Sequence, residues 1–202
     1  MVHPHTELRF VNPEIGFGVF ATQPIPRGTI TWALDCLDQH FTAEEQASLP
    51  AYARQQLEKY SYVDARGRSV LCWDHARFFN HSCAANCQSV GYDFELAVRD
   101  IAAGEELTDD YGTLNPDEPF PCRCGVAACR GQVLPDDHAR LAPRWNDLAR
   151  EAFFLIPRVA QPLWEVIADR ALVEAALADP NRLRPIQHHF ARRSQDPAAA
   201  AV

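Results

Sequence analysis

The first 112 or so residues predict a mainly β domain of α+β character, on three observations. Short β-branched and aromatic runs are broken by turn residues, as in Thr29 to Leu34 and Ser69 to Trp73. Strands and helices do not alternate at a regular spacing, which argues against a doubly wound parallel sheet. Helical signal in this part is confined to one insertion, Thr42 to Lys59, opened by the capping box Thr42 and Glu45. The remaining candidate strands are Leu8 to Val11, Gly18 to Ala21 and Phe94 to Val98.

Past the β part the character changes twice. Residues 113 to 135 carry four prolines around Cys122, Cys124 and Cys129, with too few apolar residues for a core of their own, so a metal is expected to hold them. From Asp136 to about Arg193 the chain is Ala- and Leu-rich, with Asp136 or Asp137 as a cap, Pro143 near a start and breaks at Pro157, Pro162 and Pro180. Three or four short helices are expected there. The boundaries read 5–115, 116–133 and 134–195, with a disordered tail over 196–202.

Composition narrows the function. The 202 residues carry 19 basic and 27 acidic side chains, a formal charge of −8 that disfavours direct nucleic-acid binding and suits a basic protein partner. No signal peptide and no apolar run of about 18 residues is seen, so a soluble, cytoplasmic protein with no membrane partner is expected. Seven cysteines, three of them clustered, favour a metal site over a disulfide framework.

Three short motifs carry the chemistry. Gly16-Phe17-Gly18 through Ala21 formally satisfies a dinucleotide fingerprint, but Pro24 and Pro26 forbid the helix that fingerprint needs, leaving a glycine turn whose bare backbone admits a ligand. Arg77-Phe78-Phe79-Asn80-His81-Ser82-Cys83 follows, and then Glu106-Leu107-Thr108-Asp109-Asp110-Tyr111-Gly112. With Cys122-Arg123-Cys124 and Cys129 behind them, this ordered set resembles the SET-domain protein-lysine methyltransferases with a post-SET zinc-binding segment, over residues 8 to 131.

The resemblance implies a SET β-clip, several small sheets around a threaded C-terminal segment, with the helical extension added. It implies S-adenosylmethionine as methyl donor, held by Gly16, Phe17, Gly18, Asn80, His81 and Tyr111, with Tyr111 and Tyr60 catalytic and Tyr62 as packing neighbour of Tyr60. It implies structural zinc on Cys83, Cys122, Cys124 and Cys129. Cys87 is the alternative fourth ligand, and Cys36 and Cys72 are expected to be buried thiols. The expected reaction is methyl transfer to a lysine amine of a basic protein or peptide, and the alternative is a non-catalytic SET-fold binding module.

These residue types suit the reaction, because in-line displacement at a sulfonium methyl needs positioning, exclusion of water and a neutral amine more than a named base. Two positions depart from the family. Ala84-Ala85-Asn86 lacks the usual proline, and Asp109 stands where an aromatic residue usually sets how many methyls are added. Asp109 faces either the lysine channel or solvent, since strand residues alternate sides.

Overall fold

The computed structural model describes residues 1–191, so the tail expected over 196–202 lies outside the described residues. Strands β1 (Thr6–Asn12), β2 (Gly16–Ala21), β3 (Ile30–Ala33) and β4 (Gln39–Phe41) lead into helices α1 (Ala43–Ser48) and α2 (Ala51–Tyr60). Then come β5 (Ser61–Val63), β6 (Ser69–Leu71), β7 (Asn80–His81), β8 (Cys87–Ser89), β9 (Phe94–Ala97) and β10 (Glu106–Asp109). Strands β11 (Phe120–Pro121) and β12 (Gln132–Val133) flank the cysteine cluster, and helices α3 (Asp137–Phe153) and α4 (Arg170–Ala178) follow.

The strands form small sheets ordered β1-β2-β10-β7, β3-β9-β8, β4-β6-β5 and β11-β12. This is the expected mixed architecture of several small sheets with a helical C-terminal part. The expected helix Thr42 to Lys59 is two helices. Leu49 is extended, as the residue before a proline prefers, and Pro50 opens the second helix without a side-chain cap. The capping box itself forms, with Thr42 Oγ1 accepting from Glu45 N and Glu45 Oε2 accepting from Thr42 N.

Two further corrections concern single residues. Asp136 makes no capping hydrogen bond, whereas Asp137 is fully buried and accepts from Leu134 N at 3.0 Å. Cys36 is exposed, while Cys72 is buried as expected.

The largest apolar core is built jointly by the sheet and the C-terminal helices. Ile30, Phe94 and Leu96 from β3 and β9 pack with Ala149, Ala152, Phe153, Ile156 and Val173. Gly28 has φ +90°, and a Cβ there would strike Leu155, so glycine lets the extension close onto the sheet. A second core, with Val19, Ile25, Phe79, Ile101 and Leu107, backs the sheet that carries the motifs. Among the described residues no helix is long and apolar enough to cross a membrane.

Candidate active site

The two central motifs meet through strand pairing. Strands β7 and β10 run parallel, with Thr108 opposite Asn80 and Asp109 opposite His81, and Ser82 N donates to Asp109 O at 2.9 Å. Asn86, buried in the following turn, fastens them: its Nδ2 donates to Glu106 O at 2.7 Å and its Oδ1 accepts from Thr108 N at 2.8 Å. These bonds hold the turn without the proline missing at Ala85.

Strand β2 brings the glycine turn to the same place. Gly16 has φ +85°, a left-handed conformation natural to glycine, and Phe17 O accepts from Asn80 Nδ2 at 3.0 Å. Asn80 Nδ2 also donates to Glu106 Oε1 at 2.6 Å. A Cβ on Gly18 would strike Glu106 Oε1 and stand 2.9 Å from Asn80 Nδ2, so the turn closes on Asn80 only because Gly18 has no side chain.

His81 Nδ1 accepts from Tyr111 N at 3.2 Å, and the two rings lie 5.4 Å apart. Burial lowers the His81 pKa, outweighing Asp110 at 3.8 Å, so the imidazole is neutral, as an accepting Nδ1 requires. Tyr111 Oη donates to Phe79 O, and burial, then Asp109 and Glu106, push its phenol well above the ordinary range. The group is held as a neutral donor.

A cavity of about 910 Å³ opens beside these residues, lined by Tyr60, Tyr62, Phe79, Glu95, Asp109 and Tyr111 among others. The Tyr60 ring packs 5.3 Å from Phe78, and the Tyr62 ring stands edge-on to Trp32 at 5.8 Å. Asp109 is 6% exposed and faces this cavity, not solvent. Sequence reasoning missed Glu95, although an acid inside the otherwise apolar run Phe94-Glu95-Leu96-Ala97 was a usable signal.

Cys83, the fourth ligand that the resemblance implies, lies beside the clustered cysteines. Cys122 Sγ lies 3.6 Å from Cys83 Sγ and 3.6 Å from Cys129 Sγ. Ligand atoms of His81, Cys83, Cys122 and Cys124 lie within 4.8 Å of one another. A tetrahedron of thiolates at about 2.3 Å from zinc sets its sulfurs about 3.8 Å apart, so this donor set fits the ion. Arg130 N and Gly131 N each donate to a sulfur at 3.4 Å, the support that thiolate ligands use. Burial raises Cys83 and Cys122, whereas at Cys124 burial is overcome by backbone donors and the thiol falls to about 7. Cys87 stands apart on β8, fully buried beside Asn86 Oδ1.

A buried charge network, unforeseen in the sequence, ties the cluster to the site. Arg130 grips Asp110 with two bonds of 2.6 and 2.7 Å and reaches Asp137 at 3.3 Å, and Arg140 also pairs with Asp137. Gly112 lies under this network, where a Cβ would stand 3.0 Å from Trp145 and 3.1 Å from Asp137.

Comparison with known proteins agrees with these motifs. The SET domain profile matches residues 16–112. "Histone-lysine N-methyltransferase ash1" of Drosophila melanogaster is 32% identical over 142 residues, covering 62% of this chain and 6% of that protein. "Histone-lysine N-methyltransferase, H3 lysine-36 specific" of Schizosaccharomyces pombe is 29% identical over 179 residues, covering 80% of this chain and 21% of that protein. The solved methyltransferase domain of human Histone-lysine N-methyltransferase SETMAR superposes with a TM-score of 0.45 at 18% identity, covering 66% of this chain and 58% of that one. The chain thus spans about a fifth or less of the length of these two curated relatives. Residues 16–112, just under half of the chain, are thus similar to SET domains.

Proposed function

We propose that the protein transfers a methyl group from S-adenosylmethionine to the side-chain amine of a lysine in a basic protein segment. The observation that carries this reading is the junction of the Gly16–Gly18 turn, Asn80-His81 and Tyr111 with a cavity walled by Tyr60, Tyr62 and Phe79. S-adenosylmethionine supplies an electrophilic methyl on a sulfonium. The backbone of Gly16, Phe17 and Gly18 would hold this cofactor together with Asn80 and His81, and Tyr111 would act beside the transferred methyl.

The residues of this chain do the remaining work. Aromatic walls take the apolar stem of the lysine and exclude water, and the channel disfavours the charged ammonium. Phenol oxygens of Tyr111 and Tyr60 orient the amine. Cys83, Cys122, Cys124 and Cys129 would hold a structural zinc, which would fix residues 116–133 beside His81 without entering the reaction.

The relatives' names make histone tails the first candidate substrates, and the net charge of −8 suits such basic partners. Incubation with labelled S-adenosylmethionine and a panel of basic proteins, histone H3 included, tests the reading. Label on a lysine of a panel member is expected. Cofactor binding with no transfer to any of them would turn the assignment toward a binding module.

A further inference from the structure

Three walls of the cavity come from parts of the chain far apart in sequence. Tyr60 and Tyr62 stand at the end of α2 and on β5, Tyr111 opens the segment that runs on to Asn115, and the C-terminal extension contributes Arg184 and His189. The last stretch of the extension is itself held firmly. Gly91 lets its backbone in, since a Cβ there would strike Arg184 O, and His189 Nε2 donates to Tyr92 O at 2.8 Å. Asn146 of α3 holds it as well, accepting from Ile186 N at 2.8 Å.

One side chain joins these walls. Asn115 Nδ2 donates to Val63 O of β5 and to His189 O, both at 2.8 Å, and Asn115 Oδ1 accepts from Ala191 N at 2.9 Å. Two carbonyls need the two amide hydrogens and one N–H needs the oxygen, so the three bonds engage both ends of the amide and fix its orientation. Asn115 also has φ +55°, alone among the described non-glycine residues, a left-handed conformation that asparagine tolerates better than most side chains. A backbone geometry of this kind persists where its surroundings over-determine it. Here the partners lie 52, 74 and 76 residues away in the chain.

We infer that Asn115 is a positioning residue, a clasp that holds the β5 wall, the Tyr111 segment and the C-terminal extension at the spacing that admits a substrate side chain between Tyr60, Tyr62 and Tyr111. This rests on the methyltransferase reading for taking the cavity as the substrate site. The clasp bonds to β5 and to the extension, whereas the glycine turn is held by Asn80. Its effect therefore falls on peptide binding and leaves the proposed methyl-donor site in place.

The test uses the whole protein and a histone H3 tail peptide, titrated with S-adenosylhomocysteine present, with melting temperature and S-adenosylhomocysteine affinity measured alongside. Asn115→Gly keeps the left-handed backbone and removes the amide, while Asn115→Asp keeps an acceptor for Ala191 N and removes both donors. Each is expected to weaken peptide binding by about tenfold or more, because the peptide must then order the walls itself, with S-adenosylhomocysteine affinity held within a few-fold. Asn146→Ala, which loosens the same stretch without lining the cavity, is expected to lower the melting temperature and leave peptide affinity unchanged. A wild type that does not bind the peptide overturns the inference, as does unchanged peptide affinity in both Asn115 variants or an equal loss in Asn146→Ala. Asn115 variants that no longer bind S-adenosylhomocysteine would show a role in folding instead of positioning, and overturn it too. Clasp-dependent peptide binding without methyl transfer to any protein would support the clasp and sink the catalytic reading. Transfer by a wild type whose peptide KM survives both substitutions would do the reverse.

Discussion

Tyr111 concentrates most of the proposed chemistry in one hydroxyl, held by Phe79 O on one side of the cavity. Tyr111→Phe removes one oriented group at the reacting centre, where such losses cost about 2 to 4 kcal/mol. Single-turnover rates are expected to fall by one to several orders of magnitude, with S-adenosylmethionine affinity held within a few-fold by calorimetry. Asp109 makes a different kind of prediction. Its folded pKa is raised above its unfolded value, so the folded chain binds that proton more tightly, and the stability linked to it is present at acid pH and lost as pH rises. Asp109→Asn is therefore expected to stabilise the fold at pH 7 to 8, with the gain shrinking toward about pH 4, the ordinary carboxyl range. Denaturant midpoints across that window measure it; a gain that grows toward acid would reverse the sign. Residues of this kind are legible when a contiguous string spells them, as with Asn80-His81 and Tyr111. Glu95 and Asn86 were not, because their roles depend on which strand they face across gaps of 14 and 20 to 22 residues.

The elements show how the motifs are held together. Gly18 is small because β2, Asn80 and Glu106 crowd one point, so Gly18→Ala is expected to displace the Asn80 amide. One lost hydrogen bond of about 1.4 kcal/mol would weaken S-adenosylmethionine binding roughly tenfold, with melting temperature nearly unchanged. Unaltered affinity would remove the turn from the cofactor site. The cysteine segment depends on an ion and on a charge pair. Elemental analysis of purified protein is expected to find one zinc per chain, and none in Cys83→Ser with Cys124→Ser. Arg130→Met leaves Asp110 and Asp137 buried without their shared cation, and urea denaturation is expected to show a loss of about 3 kcal/mol or more. A change below 1 kcal/mol would show that the network is not needed for folding. Short strands such as β7, β11 and β12 were illegible in the sequence because two residues carry no period, and their pairing is decided by distant partners. Pro50 splits α1 from α2 inside the stretch expected to be one helix, because the residue before a proline is held extended.

Across the whole molecule, the C-terminal helices are part of the main core. Phe153, Ala152 and Val173 share a buried cluster with Phe94 and Leu96, while Asp137 at the start of α3 reaches Arg130 and, through it, the residue before Tyr111. The sequence showed the helices through their Ala and Leu content but gave no sign of which sheet they cover, since that depends on side-chain packing between distant segments. The lysine methyl transfer proposed above would take place beside this shared core. Its most direct test is mass spectrometry of a histone H3 tail peptide after incubation with protein and S-adenosylmethionine. Lys59 is the chain's only lysine, so methylation of the protein itself is easily separated from that of the peptide. The expected result is one or two methyl groups on a single peptide lysine, absent when that lysine is arginine and nearly absent with Tyr111→Phe. Methylation equal with Tyr111→Phe would remove Tyr111 from the reaction, and no methylation of any lysine by a protein shown to bind the cofactor would overturn the proposed activity.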